Sequence, residues 1–300
     1  MYLTSNFQEF QEDLRAELNA EMPEGHVLEE KEIVKNGIVK HALSVVREED
    51  YGTVGVPTMY YEDLFEWYVE QEDAEAAIRS LVVHVLTETR KKDPNAGEII
   101  EKMLDKEYVL NHVRYRFARA GSENMYEDSA MKMWQDIPVL FYCTFRKEGY
   151  EASVRVTKAL AVQLGLSFED LDAAAARNSQ DSDAYITPLA EKMGIQDELG
   201  ESGFLFFYGT DRCGDYAAAD ILVSDKVKDF AWDIGMDIYL IPSSVHEWLI
   251  FPDNSDVDVA YLNTLVRNIN ETTVNPEERL SDHVYYLNRL TGEISIPPEC

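Results

Sequence analysis

The residues from Asp237 to Pro252 read DIYLIPSSVHEWLIFP. Two apolar runs, Ile238–Ile241 and Trp248–Phe251, flank a polar insert of five residues, Ser243 to Glu247. Short apolar runs bounded by turn residues are typical of strands that are buried in a sheet. Pro242 ends the first run because it has no backbone N–H to donate to a ladder. This stretch therefore predicts two strands joined by a polar insert.

Strands elsewhere in the chain arrive as hairpins. Asn36-Gly37 between apolar residues predicts a two-residue turn. The predicted hairpins span residues 26–47, 137–156 and 283–296. Because regular strand–helix–strand units are missing from this pattern, we expect an α+β fold. Its C-terminal part is an antiparallel sheet covered by helices, and its N-terminal part is a helix–hairpin–helix region. We place the boundary near residues 125–135, which gives domains 1–130 and 131–300.

Four further predictions follow from local patterns. Residues 109–117 read as a strand with Val113, Tyr115 and Phe117 on one face and Arg114 and Arg116 on the other. The apolar run 218–223 also reads as a buried strand. Residues 177–185 read as a polar loop. Ser255 and Asp256 are the predicted start of the last long helix.

Composition indicates a soluble protein with a substantial core. Of the 300 residues, 45% are apolar and 11% are aromatic. No apolar run approaches the roughly 20 residues that span a bilayer, and the N-terminus lacks the pattern of a signal peptide. Three widely spaced cysteines favour neither a disulfide framework nor a cysteine-based zinc site. We therefore expect a cytoplasmic location and no membrane contact.

The formal net charge of −30 is the most unusual feature of the composition. Acidic residues exceed basic ones in every block of fifty residues except 101–150, where the two are equal. A field of this sign repels nucleic acid and anionic membranes. We expect no direct nucleic-acid binding and consider a basic protein partner, although the charge is also explained by solubility alone.

The polar insert and a second polar stretch carry the candidate catalytic residues. In an extended segment Ser244 and His246 face the same side, and Asp282-His283 supplies a carboxylate and another imidazole. A hydroxyl, an imidazole and an orienting carboxylate are the groups of nucleophilic hydrolysis. This hypothesis requires the two stretches to meet in space. The sequence also lacks the Gly-x-Ser-x-Gly turn that exposes a nucleophile in many hydrolases.

Two other interpretations of the insert stay open. In the structural one, Ser243 and Ser244 cap a turn through bonds to the backbone, and His246 is a hydrogen-bonded core histidine. In the other, Ser243 and Glu247 belong to a ligand or protein-binding site. The histidines and carboxylates form a donor set suited to zinc. No supporting His-x-x-x-His or Cys-x-x-Cys spacing occurs, so we expect no metal site and no cofactor.

Arg114, Arg116 and Arg119 form a local cationic cluster in this acidic sequence. They either pair with the surrounding carboxylates or bind an anion or a partner. We include all three among the candidate binding residues.

Four stretches carry a resemblance to a known family. They are Val34–Gly37, Pro57–Tyr60, Ile241–Glu247 and Leu280–Tyr285. Together they resemble the family of unknown function number 5688, a bacterial family of gut anaerobes, over most of the chain. The resemblance implies no established activity, so no functional residue is carried over from it.

The leading functional hypothesis is a non-catalytic protein-interaction or regulatory role. It rests on the spread negative charge and on the lack of a specific catalytic motif. The alternative is a hydrolase or metal-assisted enzyme that uses Ser244 and His246 together with Asp282 and His283.

Overall fold

The computed structural model describes residues 7–51, 57–91, 93–180, 183–194, 206–212, 214, 216–222, 225–242, 244–254 and 257–298. For residues 220–222 only the backbone is described. The described part of the chain is α+β, with helices beside antiparallel sheets. It divides into two compact units, Met1–Ile100 and Glu101–Cys300.

The first unit contains a helix, a small sheet and two further helices. Its elements are α1 (Phe7–Ala20), β1 (His26–Lys35), β2 (Ile38–Arg47), β3 (Met59–Tyr60), α2 (Tyr61–Val69) and α3 (Ala74–Glu88). Asn36 and Gly37 join β1 to β2 with φ values of 46° and 76°, as a tight hairpin turn requires. Because β3 adds a third strand beside β2, the predicted helix–hairpin–helix description is not confirmed.

The core of the first unit follows from helical periodicity. Phe10, Leu14 and Leu18 of α1 recur every four residues and are fully buried. They belong to one apolar cluster with residues of β2, α2 and α3. The Asp73 carboxylate accepts a hydrogen bond from the N–H of Ala76, which caps α3.

The second unit is larger and contains two sheets. The division between the units falls within α4 (Ala96–Met103). The elements of the second unit from residue 106 to residue 180 are α5 (Lys106–His112), β4 (Val113–Phe117), β5 (Met131–Trp134), β6 (Ile137–Lys147), β7 (Tyr150–Arg155), α6 (Lys158–Leu164) and α7 (Phe168–Gln180). The remaining elements are β8 (Tyr185–Pro188), α8 (Leu189–Met193), β9 (Phe207–Thr210), α9 (Lys226–Ile234), β10 (Ile238–Ile241), β11 (Trp248–Pro252), α10 (Val259–Thr272), β12 (Tyr285–Leu287) and β13 (Ile294–Ser295).

Both sheets of the second unit are antiparallel. In the first, β6 pairs with β4, β5 and β7. In the second, the strand order is β13-β12-β10-β11-β9-β8. The predicted pair in Asp237–Pro252 is present as β10 and β11, and Ile238 lies opposite Pro252. Tyr239 and Ile241 of β10 pack against Leu262 of α10.

Strand pairing explains where the two units divide. The sequence pattern predicts a boundary near residue 130, whereas the compact units divide at residue 100. Because β4 and β5 both pair with β6, residues 113–134 belong to the sheet that β6 organises. Pairing between strands that are distant in sequence leaves no local signal at a boundary.

Three local predictions differ from the structure. The run Ala217–Leu222 is a 3₁₀ helix rather than a strand, which fits the weak strand preference of alanine. The predicted strand 109–117 begins only at residue 113, because Asp105 caps a helix over Lys106–His112. Helix α7 continues to Gln180, into the predicted loop. Ser255 and Asp256 lie outside the described residues, and Asp258 caps α10.

The helices in the described ranges have at most 15 residues. None of them is both long enough and apolar enough to cross a membrane.

Gly209 is required by the close approach of two strands in the second sheet. It lies opposite the buried Trp248 in the β9–β11 pairing, and a Cβ atom there would lie 2.2 Å from Trp248 Cε2. We expect Gly209→Ala to lower the free energy of unfolding by about 1–3 kcal/mol, the usual cost of overpacking. Urea denaturation followed by circular dichroism measures this change.

Gly97→Ala is the matched control for this substitution. A Cβ atom at Gly97 in α4 would have no neighbour within 4 Å, and alanine is favoured over glycine in a helix by about 1 kcal/mol. Equal stabilities of the two variants would contradict the packing argument for Gly209.

Candidate functional site

A cleft of about 580 Å³ lies within the second unit. Four cationic side chains line it, with one carboxylate: Lys102, Arg114, Arg116, Arg146 and Asp211. The other lining residues are mainly aromatic, amide or hydroxyl-bearing: Tyr108, Asn111, His112, Tyr115, Tyr142, Thr144, Asn178, Ser179, Tyr216 and Ala217. We call this feature the cationic cleft. Its charge is opposite in sign to the −30 of the whole chain.

Side-chain alternation in β4 and β6 builds part of the cationic cleft. Successive side chains of a strand point to opposite faces of the sheet. In β4 the core-facing residues are Val113, Tyr115 and Phe117, as predicted, and Arg114 and Arg116 alternate with them. In β6 buried Phe141, Cys143 and Phe145 alternate with Tyr142, Thr144 and Arg146. The same two-residue alternation therefore buries apolar side chains in the core and places cationic side chains in the cleft.

Arg116 lies between two tyrosine rings. Its guanidinium carbon is 4.2 Å from the ring centroid of Tyr142 and 3.2 Å from that of Tyr216. Its Nη1 donates a hydrogen bond of 3.1 Å to Ser153 Oγ on β7. Each cation–π contact contributes about 0.5–2 kcal/mol, depending on its exposure. These contacts hold Arg116 in a fixed position at the cleft wall.

Tyr216 connects the cationic cleft to the polar insert. Its φ of 57° is uncommon for a residue other than glycine. The backbone N–H of Tyr216 donates to His246 Nδ1 over 3.4 Å, and the two rings lie 5.2 Å apart. His246 therefore positions the tyrosine that covers Arg116. Local sequence patterns give no sign of this contact, because 30 residues separate the two positions.

Arg114 differs from the other arginines of the cleft in its contacts. It is exposed, and its guanidinium makes no ion pair or hydrogen bond with any residue in the described ranges. Arg146, by contrast, donates to Glu151 through Nε at 2.9 Å. Arg119 follows β4 in sequence and is not among the cleft-lining residues. Of the three predicted binding arginines, the structure places two in the cleft.

Three aromatic rings form a stacked column beside these cations. Tyr108 is parallel to Phe145 within 6° at a centroid distance of 5.5 Å. It is parallel to His112 within 10° at 3.8 Å. Phe145 is buried and His112 is exposed, so the histidine is the outer end of the column. His112 Nδ1 donates to the carbonyl of Tyr108 over 2.8 Å.

Within the polar insert, the described side chains bond to one another and to the backbone. Ser244 is buried, and its Oγ accepts a hydrogen bond of 3.1 Å from the N–H of His246. Burial raises the pKa of the Glu247 carboxyl, and a hydrogen bond with Ser244 opposes that rise. Ser243 lies outside the described residues. These contacts are the ones expected of a turn that side chains stabilise.

The second predicted pair lies in a separate set of contacts. Asp282 accepts a hydrogen bond of 2.9 Å from Asn270. His283 Nε2 donates to Asp136 over 2.9 Å, and its Nδ1 donates to the carbonyl of Val284 over 3.2 Å. Both partners of the ring are acceptors, an arrangement that favours the protonated form of the ring, in which both nitrogens carry hydrogen.

Burial alone would raise the pKa of the Asp136 carboxyl. Hydrogen bonds from His283 and Tyr285 outweigh that effect and hold the pKa below its usual range. The bond to Asp136 is also the main reason that the pKa of His283 is raised, against the opposing effect of burial. Asp136 therefore supplies the carboxylate partner of His283, a residue that sequence reasoning missed.

The catalytic hypothesis requires a histidine ring that faces the Ser244 hydroxyl. The rings of His246 and His283 instead contact other groups. The His246 ring contacts Tyr216 and lies 3.6 Å from Glu278, while the His283 ring bonds to Asp136. A base that activates Ser244 has to face its hydroxyl, but His246 meets that hydroxyl through its backbone N–H. In the described part of the chain, no group of three or more His, Cys, Asp or Glu could hold a metal ion. Catalysis by these four residues stays a prediction.

The described part of the chain thus has an α+β fold with antiparallel sheets, and its second unit contains the cationic cleft. The chain belongs to DUF5688, a family of unknown function, which residues 7–289 match. The resemblance seen in the sequence is thereby confirmed. A search of curated proteins and a search of solved structures give no match.

The Asp136–His283 pair predicts how stability depends on pH. The pKa of His283 is raised above 6.5, so its contribution is complete below that pH and is lost as pH rises through the folded pKa. The pKa of Asp136 is lowered below 3.8, so its contribution is complete above that pH and is lost as pH falls through the folded pKa. We expect His283→Gln to destabilise the protein most between pH 3.8 and pH 6.5, the ordinary pKa values of the two groups, and less at alkaline pH.

Urea denaturation at a series of pH values measures this dependence. His84→Gln on α3 is the control, since His84 is exposed. A stability difference between the wild type and His283→Gln that does not change with pH would contradict the ion-pair assignment.

Proposed function

We propose that this protein binds a small organic anion in the cationic cleft, through a phosphate or carboxylate group, without transforming it. The observation that carries the proposal is the set of four cationic side chains that line one cleft in a chain of net charge −30. A cleft lined by one sign of charge concentrates ligands of the opposite sign.

The state of Arg114 supports a ligand role for these cations. Acidic residues outnumber basic ones by 57 to 27, so carboxylate partners are abundant. Arg114 nevertheless makes no ion pair with any described residue. It also shares the cleft with three other cations. Like charges in one cleft repel one another, and a bound anion removes that repulsion. The planar guanidinium is suited to carboxylate and phosphate groups in particular.

Size and charge favour a small ligand. The cleft volume of about 580 Å³ lies in the range of small-molecule sites, roughly 300–1,000 Å³. The field of the remaining chain opposes the approach of a long polyanion or an anionic membrane. A compact anion enters the cleft without bringing further negative charge against the acidic surface.

A binding role also agrees with the contacts of the polar insert. Ser244 and His246 stabilise a turn and position Tyr216, which supports a structural contribution to the cleft. The proposal therefore keeps the non-catalytic class expected from the sequence and replaces the protein ligand with a small molecule. The basic protein partner and the cytoplasmic location stay predictions.

Arg114→Gln tests this proposal. The variant keeps a polar side chain but removes the charge, and a hydrogen bond to a charged group contributes about 1.5–3 kcal/mol. Isothermal titration calorimetry at low salt with ribose 5-phosphate and with citrate measures the affinity. We expect at least one of these anions to bind, and its affinity to fall roughly ten- to hundredfold in the variant.

Arg79→Gln is the matched control. Arg79 is an exposed arginine of α3 that is not among the cleft-lining residues, and it forms a 3.7 Å ion pair with Glu75. Its loss makes the net charge more negative by the same amount, so non-specific attraction of anions would weaken equally in both variants. The same affinity in Arg114→Gln and Arg79→Gln would refute the cleft as the binding site.

A further inference from the structure

We infer that the anion is a free nucleoside phosphate, with its base stacked on His112 and its phosphate bound by Arg114. This inference rests on the proposed function, because it assigns a class of ligand to the same cleft. It depends on the stacked column of Phe145, Tyr108 and His112, which an anion without a ring would leave unused.

The stacked column presents an aromatic surface to the cleft. Phe145 is buried at its inner end, Tyr108 is the middle ring, and His112 is the exposed outer ring. Both Tyr108 and His112 line the cleft. Nucleobases stack on tyrosine, phenylalanine and histidine side chains, so a base placed on His112 would extend the column by one ring.

The orientation of the His112 ring is fixed before any ligand binds. Its Nδ1 donates to the carbonyl of Tyr108 over 2.8 Å, and its ring centroid lies 3.8 Å from that of Tyr108, with the two rings nearly parallel. Because Nδ1 carries the hydrogen, Nε2 is the nitrogen that remains to bind a ligand or a proton. A ring that is already held loses little conformational freedom when a base stacks on it.

His112 and Arg114 are close in the sequence, and both line the cleft. The two residues are separated by Val113, at the point where α5 ends and β4 begins. A nucleotide carries its base and its phosphate on one ribose. The exposed His112 ring and the Arg114 guanidinium, which has no partner among the described residues, therefore offer a base and a phosphate positions in the same cleft.

An amide on α7 adds a group that can bind the polar edge of a base. Asn178 Nδ2 donates to the carbonyls of Leu110 and Val113, at 3.1 Å and 2.8 Å. These two bonds use both amide hydrogens and fix the side chain at the cleft. The carbonyl oxygen of Asn178 is left as an acceptor for an amino group.

The net charge of the protein favours a free nucleotide over a nucleic-acid strand as the ligand. Each added phosphate would bring a further negative charge against a chain of −30, and backbone phosphates dominate the binding of nucleic acids. A mononucleotide places its phosphate at the cleft cations alone. We therefore assign the free nucleotide, and an oligonucleotide serves as an arm of the test.

Calorimetry with three matched ligands tests the inference. Adenosine 5′-monophosphate carries base and phosphate, ribose 5-phosphate lacks the base, and adenosine lacks the phosphate. We expect the monophosphate to bind more tightly than either fragment, and an adenylate tetranucleotide to bind no more tightly than the monophosphate. Tighter binding of the tetranucleotide would overturn the assignment to a free nucleotide.

Variants of His112 separate stacking from other effects. His112→Ala removes the outer ring, and we expect it to weaken the monophosphate roughly five- to hundredfold, the range for loss of one base-stacking contact. It leaves ribose 5-phosphate unchanged. His112→Phe keeps a ring without the Nδ1 bond, and we expect it to restore most of the affinity. His26→Ala is the control, because His26 Nδ1 also contacts a backbone carbonyl, that of Glu24.

The outcomes distinguish this inference from the proposed function. If the monophosphate and ribose 5-phosphate bind equally, or if His112→Ala weakens both alike, the nucleoside assignment is wrong while the anion site stands. If neither anion binds and citrate also fails, the proposed function is wrong as well. Loss of affinity in His112→Phe equal to that in His112→Ala would overturn the stacking role.

Discussion

The alternation of side chains along β4 and β6 is the constraint on which the second unit depends. One set of alternate residues, including Val113, Phe141 and Cys143, is buried in the core. The other set, including Arg114 and Arg116, faces the cleft. A register shift of one residue would exchange the two sets, so burial of the apolar residues also fixes the position of the cations. Stability and the candidate site thus have the same origin.

Long-range contacts complete the cleft from a different part of the chain. Tyr216 has a backbone conformation that costs about 1–3 kcal/mol, and two contacts hold it: the bond to His246 and the ring contact with Arg116. Strained residues of this kind occur where the surrounding structure determines them strongly, often at functional sites. The polar insert therefore contributes to the site through position, while its hydroxyl and carboxylate bond within the insert.

Periodic patterns in the sequence predicted much of the fold and part of the site. The hairpin at Asn36-Gly37, the β10–β11 pair and the outward face of Arg114 and Arg116 are all present, because each follows from spacing within one segment. The predicted strand 218–223 is wrong over residues 218–222, which belong to a 3₁₀ helix, since a short apolar run fits either structure. Partners such as Asp136 of His283 lie about 150 residues away, and a single sequence gives no signal for such pairs.

The position of a bound anion tests the central claim most directly. Tungstate is a heavy tetrahedral anion, and its anomalous scattering in a crystal of the protein grown at low salt marks where it binds. We expect the strongest peak beside the Arg114 guanidinium, within the cationic cleft. Strong peaks elsewhere on the protein, with none in the cleft, would contradict it.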